Sequence, residues 1–248
     1  MSITTEKLLT LARKEAESRH RIVSGYVIGS AAGGDPVFGG TADVDLVLIY
    51  EYEPALRREI VPRSDKVHLD ITHHSKRRYE RPRELRVDLW LGPAMCEPIF
   101  LHDPTHFFEW AQASVRGQIH RPDNVLARGK AFLRRAHTSM RDLEGEQRWL
   151  RGWLRALLET SNDAASLEGF PAAGRRLMPQ LESKLTPVGH PQIHGRFLRL
   201  LGAELFVESE AKEWVTSWKT AVDAASKLSP ALSWRRVAEI ITSAVTFR

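Results

Sequence analysis

The chain has 248 residues, 42% hydrophobic and 27% charged, a balance that excludes a disordered polypeptide and supplies the core of one large or two modest domains. Its net charge of +5 suits a phosphate-bearing substrate without marking a nucleic-acid binder, and its single cysteine, Cys96, excludes an intrachain disulfide. No apolar run is long enough to span a membrane and the N-terminus has no apolar signal core, so a soluble cytoplasmic protein is expected.

Residues 4–19 read as a helix, with Thr4 or Thr5 as N-cap and Leu8, Leu9, Leu11, Ala12 and Ala16 as its apolar stripe. A first strand, Ile22 to Ile28, runs into Gly29-Ser30. A glycine-rich connection follows from Ala31 to Ala42 and carries no basic residue. The second strand opens on Asp43-Val44-Asp45 and continues as the unbroken apolar run Leu46 to Ile49, the pattern of a strand buried on both faces. Residues two apart on a strand share a face, so Asp43 and Asp45 leave the sheet side by side. Adjacent carboxylates repel each other, and a divalent cation between them removes the repulsion.

Glu53 to Glu59 reads as a short helix or loop, in a stretch made basic by Arg57, Arg58, Arg63 and Lys66. Val67 to Thr72 is the third strand. It carries His68, Asp70 and Thr72 on one face and Val67, Leu69 and Ile71 on the other. The run His73 to Arg78 follows as a charged end. Residues 85–91 alternate like another strand, which makes Asp88 the rival of Asp70 as a third acid. Glu97 to Phe108 reads as a short strand and turn. The histidines at 68, 73, 74, 102, 106 and 120 lack ligand spacing on any one element, so no zinc site is expected.

Beyond Gly117 the period becomes helical. One helix opens at Pro122-Asp123 and runs to about Leu143, with Val125, Leu126, Phe132, Leu133 and Met140 on its apolar side. A second, Glu146 to Ser166, is predicted to bury Trp149, Leu150, Trp153, Leu154, Leu157 and Leu158, and Gly169 and Pro171 end it. A short helix resumes near Arg175-Arg176. Others are predicted over 194–201, 203–228 and from Ser229-Pro230 to Thr246. The expected class is therefore α+β: a mixed-sheet domain over 1–118 and a helical bundle over 119–248.

Gly29-Ser30, the long turn, the Asp43-Val44-Asp45 pair and Leu69-Asp70-Ile71 together resemble the signature of the DNA-polymerase-beta-like nucleotidyltransferases. The likeness covers about the first hundred residues. The helical second half is similar to that of small-molecule nucleotidyltransferases of the kanamycin-adenylating type. The resemblance implies that Asp43, Asp45 and Asp70 hold Mg²⁺ or Mn²⁺ and that Gly29 and Ser30 hold the triphosphate of a nucleoside triphosphate. It also implies transfer of a nucleoside monophosphate to a hydroxyl of a small molecule or a protein. In such enzymes a base is sometimes lent across a homodimer. Family members often carry a basic residue in the turn that this chain leaves uncharged, so phosphate charge would be met by metal, backbone amides and basic groups elsewhere; the run His73 to Arg78 is a candidate to meet phosphates or an acidic second substrate, and Arg175 and Arg176 are candidates to reach the cleft. Asp70 is preferred to Asp88 because the family usually pairs that strand with the metal strand. Two other functions fit the same motifs: a regulatory or antitoxin protein that binds or modifies a protein partner, and transfer to RNA.

Overall fold

Thr4 caps the first helix, α1 (Thr5–Glu17), by accepting a hydrogen bond at 3.4 Å from the Lys7 N–H. Glu6 in its first turn and Lys14 in its last complement the helix dipole. Leu8, Ala12 and Ala16, four apart and buried, form the stripe that packs on the sheet. The computed structural model describes residues 3–34, 37–38, 40–141, 146–172, 177–205 and 207–228.

Among the described residues, six strands follow in one mixed sheet: β1 (Ile22–Ile28), β2 (Val37–Phe38), β3 (Thr41–Tyr50), β4 (Arg58–Ser64), β5 (Val67–Ser75) and β6 (Ile99–His102). The order is β4-β5-β3-β1-β6, with β2 paired to the start of β3. Only β3 and β5 run parallel among these neighbours; every other pair is antiparallel. The expected α+β class with a mixed sheet is observed.

One face of the sheet carries Val44, Leu46 and Leu48 of β3 with Val67, Leu69 and Ile71 of β5, closed by α1 into one apolar core. Fully burying a leucine of this kind contributes about 1.5–3 kcal/mol. The opposite face is aromatic toward β1 and β6. There Tyr26 stacks on Phe108 at 3.8 Å, and its hydroxyl lies 2.6 Å from that of Tyr79.

The helices are α2 (Gly29–Ala32), α3 (Pro82–Val87), α4 (Leu91–Ala94), α5 (Phe107–Arg116), α6 (Pro122–Arg141), α7 (Glu146–Ser166), α8 (Leu177–Leu185), α9 (Gln192–Leu200) and α10 (Glu208–Leu228). The chain forms two compact units. One holds α1, α2, the six strands and α10; the other holds α3, α4 and α6 to α9, with the boundary inside α5 at Trp110 and Ala111. In the second unit, Leu157 and Ala165 of α7, Leu181 and Leu185 of α8 and Phe197 of α9 form an apolar core. Among the described residues, no helix is long and apolar enough to cross a membrane.

Three readings from the sequence are corrected. Residues 85–91 are not a strand: Pro82 sits in the first turn of α3, and the helix ends at Val87. The seven-residue alternation was too short to decide the period, and the buried residues are Leu85 and Leu91. Of the helix or loop expected from Glu53 to Glu59, residues 53–57 are loop, and strand β4 begins at Arg58, with Ile60 pairing opposite Asp70. On α6 and α7 the burial is narrower than the apolar residues suggest. Phe132 and Leu157 are buried, whereas Leu126, Leu133, Met140, Trp149, Leu150 and Leu154 are all exposed. The predicted helix from Ser229 and the Arg175-Arg176 pair lie outside the described residues.

Candidate active site

The parallel register of β3 and β5 sets Asp45 beside Asp70 and Asp43 beside His68. Directly paired residues point to the same side of a sheet, so these four side chains share the face turned away from α1. All three acids are partly buried and within reach of solvent. His68 is 7% exposed, and its Nδ1 has no hydrogen-bond partner among the described residues.

The bend after β1 closes onto the same place. Ile28 pairs with Asp45, and Gly29 follows with φ +72°, a left-handed conformation that L side chains rarely adopt. A Cβ at Gly29 would overlap the Asp45 carboxylate, lying only 3.2 Å from its Cγ. Glycine is required twice over at this position, by backbone angle and by space. Ser30, partly buried, stands in the single turn of α2, where the Gly33 N–H donates to the Gly29 carbonyl at 3.0 Å.

Asp70 is engaged by Arg58, which sits opposite Thr72 on β4, one diagonal step away. Arg58 Nε donates to Asp70 Oδ1 at 2.7 Å, and a terminal guanidinium nitrogen donates to Oδ2. This is the two-pronged geometry that matches guanidinium to carboxylate. The hydrogen bond to Asp70 raises the Arg58 pKa above its ordinary value, helped by the charge of Asp70 and then by that of Asp45. Arg58 therefore lies in the field of both acids, although its side chain is 64% exposed.

The donor set suits a hard divalent cation, since Mg²⁺ is commonly bound by one or two carboxylates together with substrate phosphates. Asp43 and Asp45 meet that description on one strand. Among the described residues, no group of three or more His, Cys, Asp or Glu side chains is drawn together tightly enough to hold a metal ion. Asp70 would join the pair by exchanging Arg58 for the cation.

No family model matches the chain. A search of curated proteins finds no match either. Among solved structures the chain is similar to a nucleotidyltransferase-like protein from Exiguobacterium sibiricum, at 12% identity over 84% of this chain and 75% of that one, with a TM-score of 0.35. A likeness of that extent fixes neither the fold nor the chemistry of this chain.

Asp88 has a different task from the one its sequence pattern suggests. Its Oδ1 accepts from the N–H groups of Trp90 at 2.9 Å and Leu91 at 2.7 Å, a side-chain cap at the start of α4. Arg58 is the neighbour of the acids that sequence reasoning missed. The alternation Arg58, Ile60, Pro62 was present, but a proline and two arginines hid the strand.

A second polar cluster lies on the α1 face, at the far ends of β3 and β5. His73 Nδ1 lies 3.1 Å from the Tyr50 hydroxyl, and its Nε2 lies 3.1 Å from Glu59, which also pairs with Arg19 at 2.8 Å. Burial pushes the His73 pKa below its ordinary 6.5, and Glu59 only partly offsets this.

Proposed function

We propose that the protein is a metal-dependent nucleotidyltransferase, moving a nucleoside monophosphate from a nucleoside triphosphate to a hydroxyl of a small-molecule or protein acceptor. The observation that carries the reading is Asp43 and Asp45 on one strand face, with Asp70 in register beside Asp45 and Gly29 closing against it. These are the residues of the motif that resembles the polymerase-beta-like nucleotidyltransferases.

In this reading Asp43 and Asp45 would hold Mg²⁺ or Mn²⁺, and Asp70 would be a third ligand in exchange for Arg58. A bound divalent ion would supply charge stabilisation for the attacking and leaving oxygens. The acceptor oxygen bonds to the α-phosphorus, the bond from that phosphorus to the bridging oxygen breaks, and pyrophosphate leaves. Asp70 takes the proton of the acceptor hydroxyl. The Gly29 amide and the Ser30 hydroxyl grip the terminal phosphates. Arg58, freed from Asp70, supplies the positive charge that the neighbouring turn lacks.

Incubation with Mn²⁺, labelled triphosphates and panels of aminoglycosides, proteins and tRNA tests the reading. Transfer in the wild type should vanish in Asp43→Asn and in Asp45→Asn while their circular dichroism is unchanged. An undiminished rate in either variant refutes it.

A further inference from the structure

Helices α6 and α7 lie against each other and leave between them a cavity of about 500 Å³. Arg134 and Arg135 line it from α6, and Arg151 and Arg155 from α7; among the described residues, Glu159 is the only acid in its lining. Arg151 and Arg155 stand four apart on one helical face, where like charges destabilise the helix that carries them. Among the described residues, only Arg135 of the four is neutralised by an ion pair, from its Nε to Glu159 Oε1 at 3.0 Å. A cluster of this charge, gathered around a concave space, is relieved by a multiply charged anion.

Glu159 narrows the ligand further. It is 4% exposed, and its Oε2 is buried without a hydrogen-bond partner among the described residues. A buried carboxylate oxygen requires a donor, and a bare phosphate dianion has none to give. A hydroxyl on the same ligand as the phosphate satisfies both demands.

We propose that this cavity binds a phosphorylated sugar, with its phosphate among Arg134, Arg151 and Arg155 and a sugar hydroxyl donating to Glu159 Oε2. The cavity volume is in the range of sites for ligands of this size. That chemistry, a phosphate and a hydroxyl on one sugar, is shared by free sugar phosphates and nucleotides and by the units of an RNA strand, and ribose 5-phosphate serves as the probe of the first. The inference does not depend on the transferase reading, because neither its residues nor its readout involve Asp43 or Asp45.

Calorimetric titration of the full chain with ribose 5-phosphate, methyl phosphate and a single-stranded oligouridylate tests it, in wild type and in Arg151→Gln/Arg155→Gln. Both arginines are exposed, so the double variant should fold, as circular dichroism will verify. Ribose 5-phosphate should bind about tenfold more tightly than methyl phosphate, the effect of one hydrogen bond to a buried charge. The double variant should lose at least about tenfold in affinity. Binding of ribose 5-phosphate identifies a free sugar phosphate as ligand, and binding of oligouridylate alone identifies RNA. Measurable and equal affinities for the two small phosphates, equal binding by wild type and double variant, or no binding of any probe overturns the proposal.

Discussion

Asp45 and Asp70 stand side by side on parallel strands, yet the two carboxylates are treated differently: Arg58 takes both oxygens of Asp70. The ion pair is mostly exposed on the arginine side, so its net worth is small, about 0.2–1 kcal/mol. A weak bond between strong charges is readily exchanged. Arg58→Ala should therefore raise the affinity for Mn²⁺, measured by calorimetry, by up to about fivefold. Unchanged affinity would mean that Asp70 takes no part in cation binding.

Gly29 allows β1 to end against Asp45. Gly29→Ala adds both a left-handed backbone penalty and a collision with the carboxylate. Thermal or urea unfolding should show a loss of at least about 1–2 kcal/mol. Alanine at the exposed Gly34, with φ +80° but open space around its Cβ position, should cost only the backbone part.

His73 makes stability depend on pH in a direction that can be worked out. Its folded pKa lies below the unfolded value of 6.5, so below that pH the unfolded chain binds more protons. Its contribution is fully present above pH 6.5 and is lost as the pH falls through the folded pKa. The fall in urea midpoint between pH 7.5 and 5 should be smaller in His73→Gln than in the wild type. An equal fall would assign the acid sensitivity to other groups.

Arg128 is fully buried in α6 and, among the described residues, is paired with carbonyls alone. Its guanidinium donates to the backbone oxygens of Arg86 at 2.7 Å, Ile119 at 3.0 Å and Gly169 at 2.9 Å. It thereby ties the end of α3, the turn after α5 and the loop after α7 to one side chain. Arg128→Met keeps most of the volume and strands two buried acceptors, at Ile119 and Gly169, and a part-buried one at Arg86; each buried one is worth about 1–3 kcal/mol. A loss of at least about 3 kcal/mol is expected in urea unfolding. A loss below about 1 kcal/mol would mean that the carbonyls find water.

The sequence announced the elements whose patterns are local. Thr4 with the Leu8, Ala12 and Ala16 stripe, the Asp43-Asp45 start of an apolar strand, and the limits of α7 at Glu146 and Ser166 all read correctly. What it concealed was set by distant contacts. The fork of Arg58 onto Asp70 spans twelve residues, and the shared hydroxyls of Tyr26 and Tyr79 span fifty-three. β4 was hidden for another reason: its inward face is only half-buried, at Glu59 and Val61, while the apolar Ile60 on the other face is 60% exposed, so hydrophobicity does not follow a period of two. Asp88 was misread because an acid between apolar residues looks the same in a strand as at a helix start.

The proline in β4 bears on how this protein behaves in a crowded solution. The strand borders the sheet, where an unpaired backbone would invite another chain to add on. Pro62 offers no N–H to such a guest, and Arg58, Glu59 and Arg63 ring the rim with charge. Fibril growth by strand addition is blocked at this border by the same residues that disguised it.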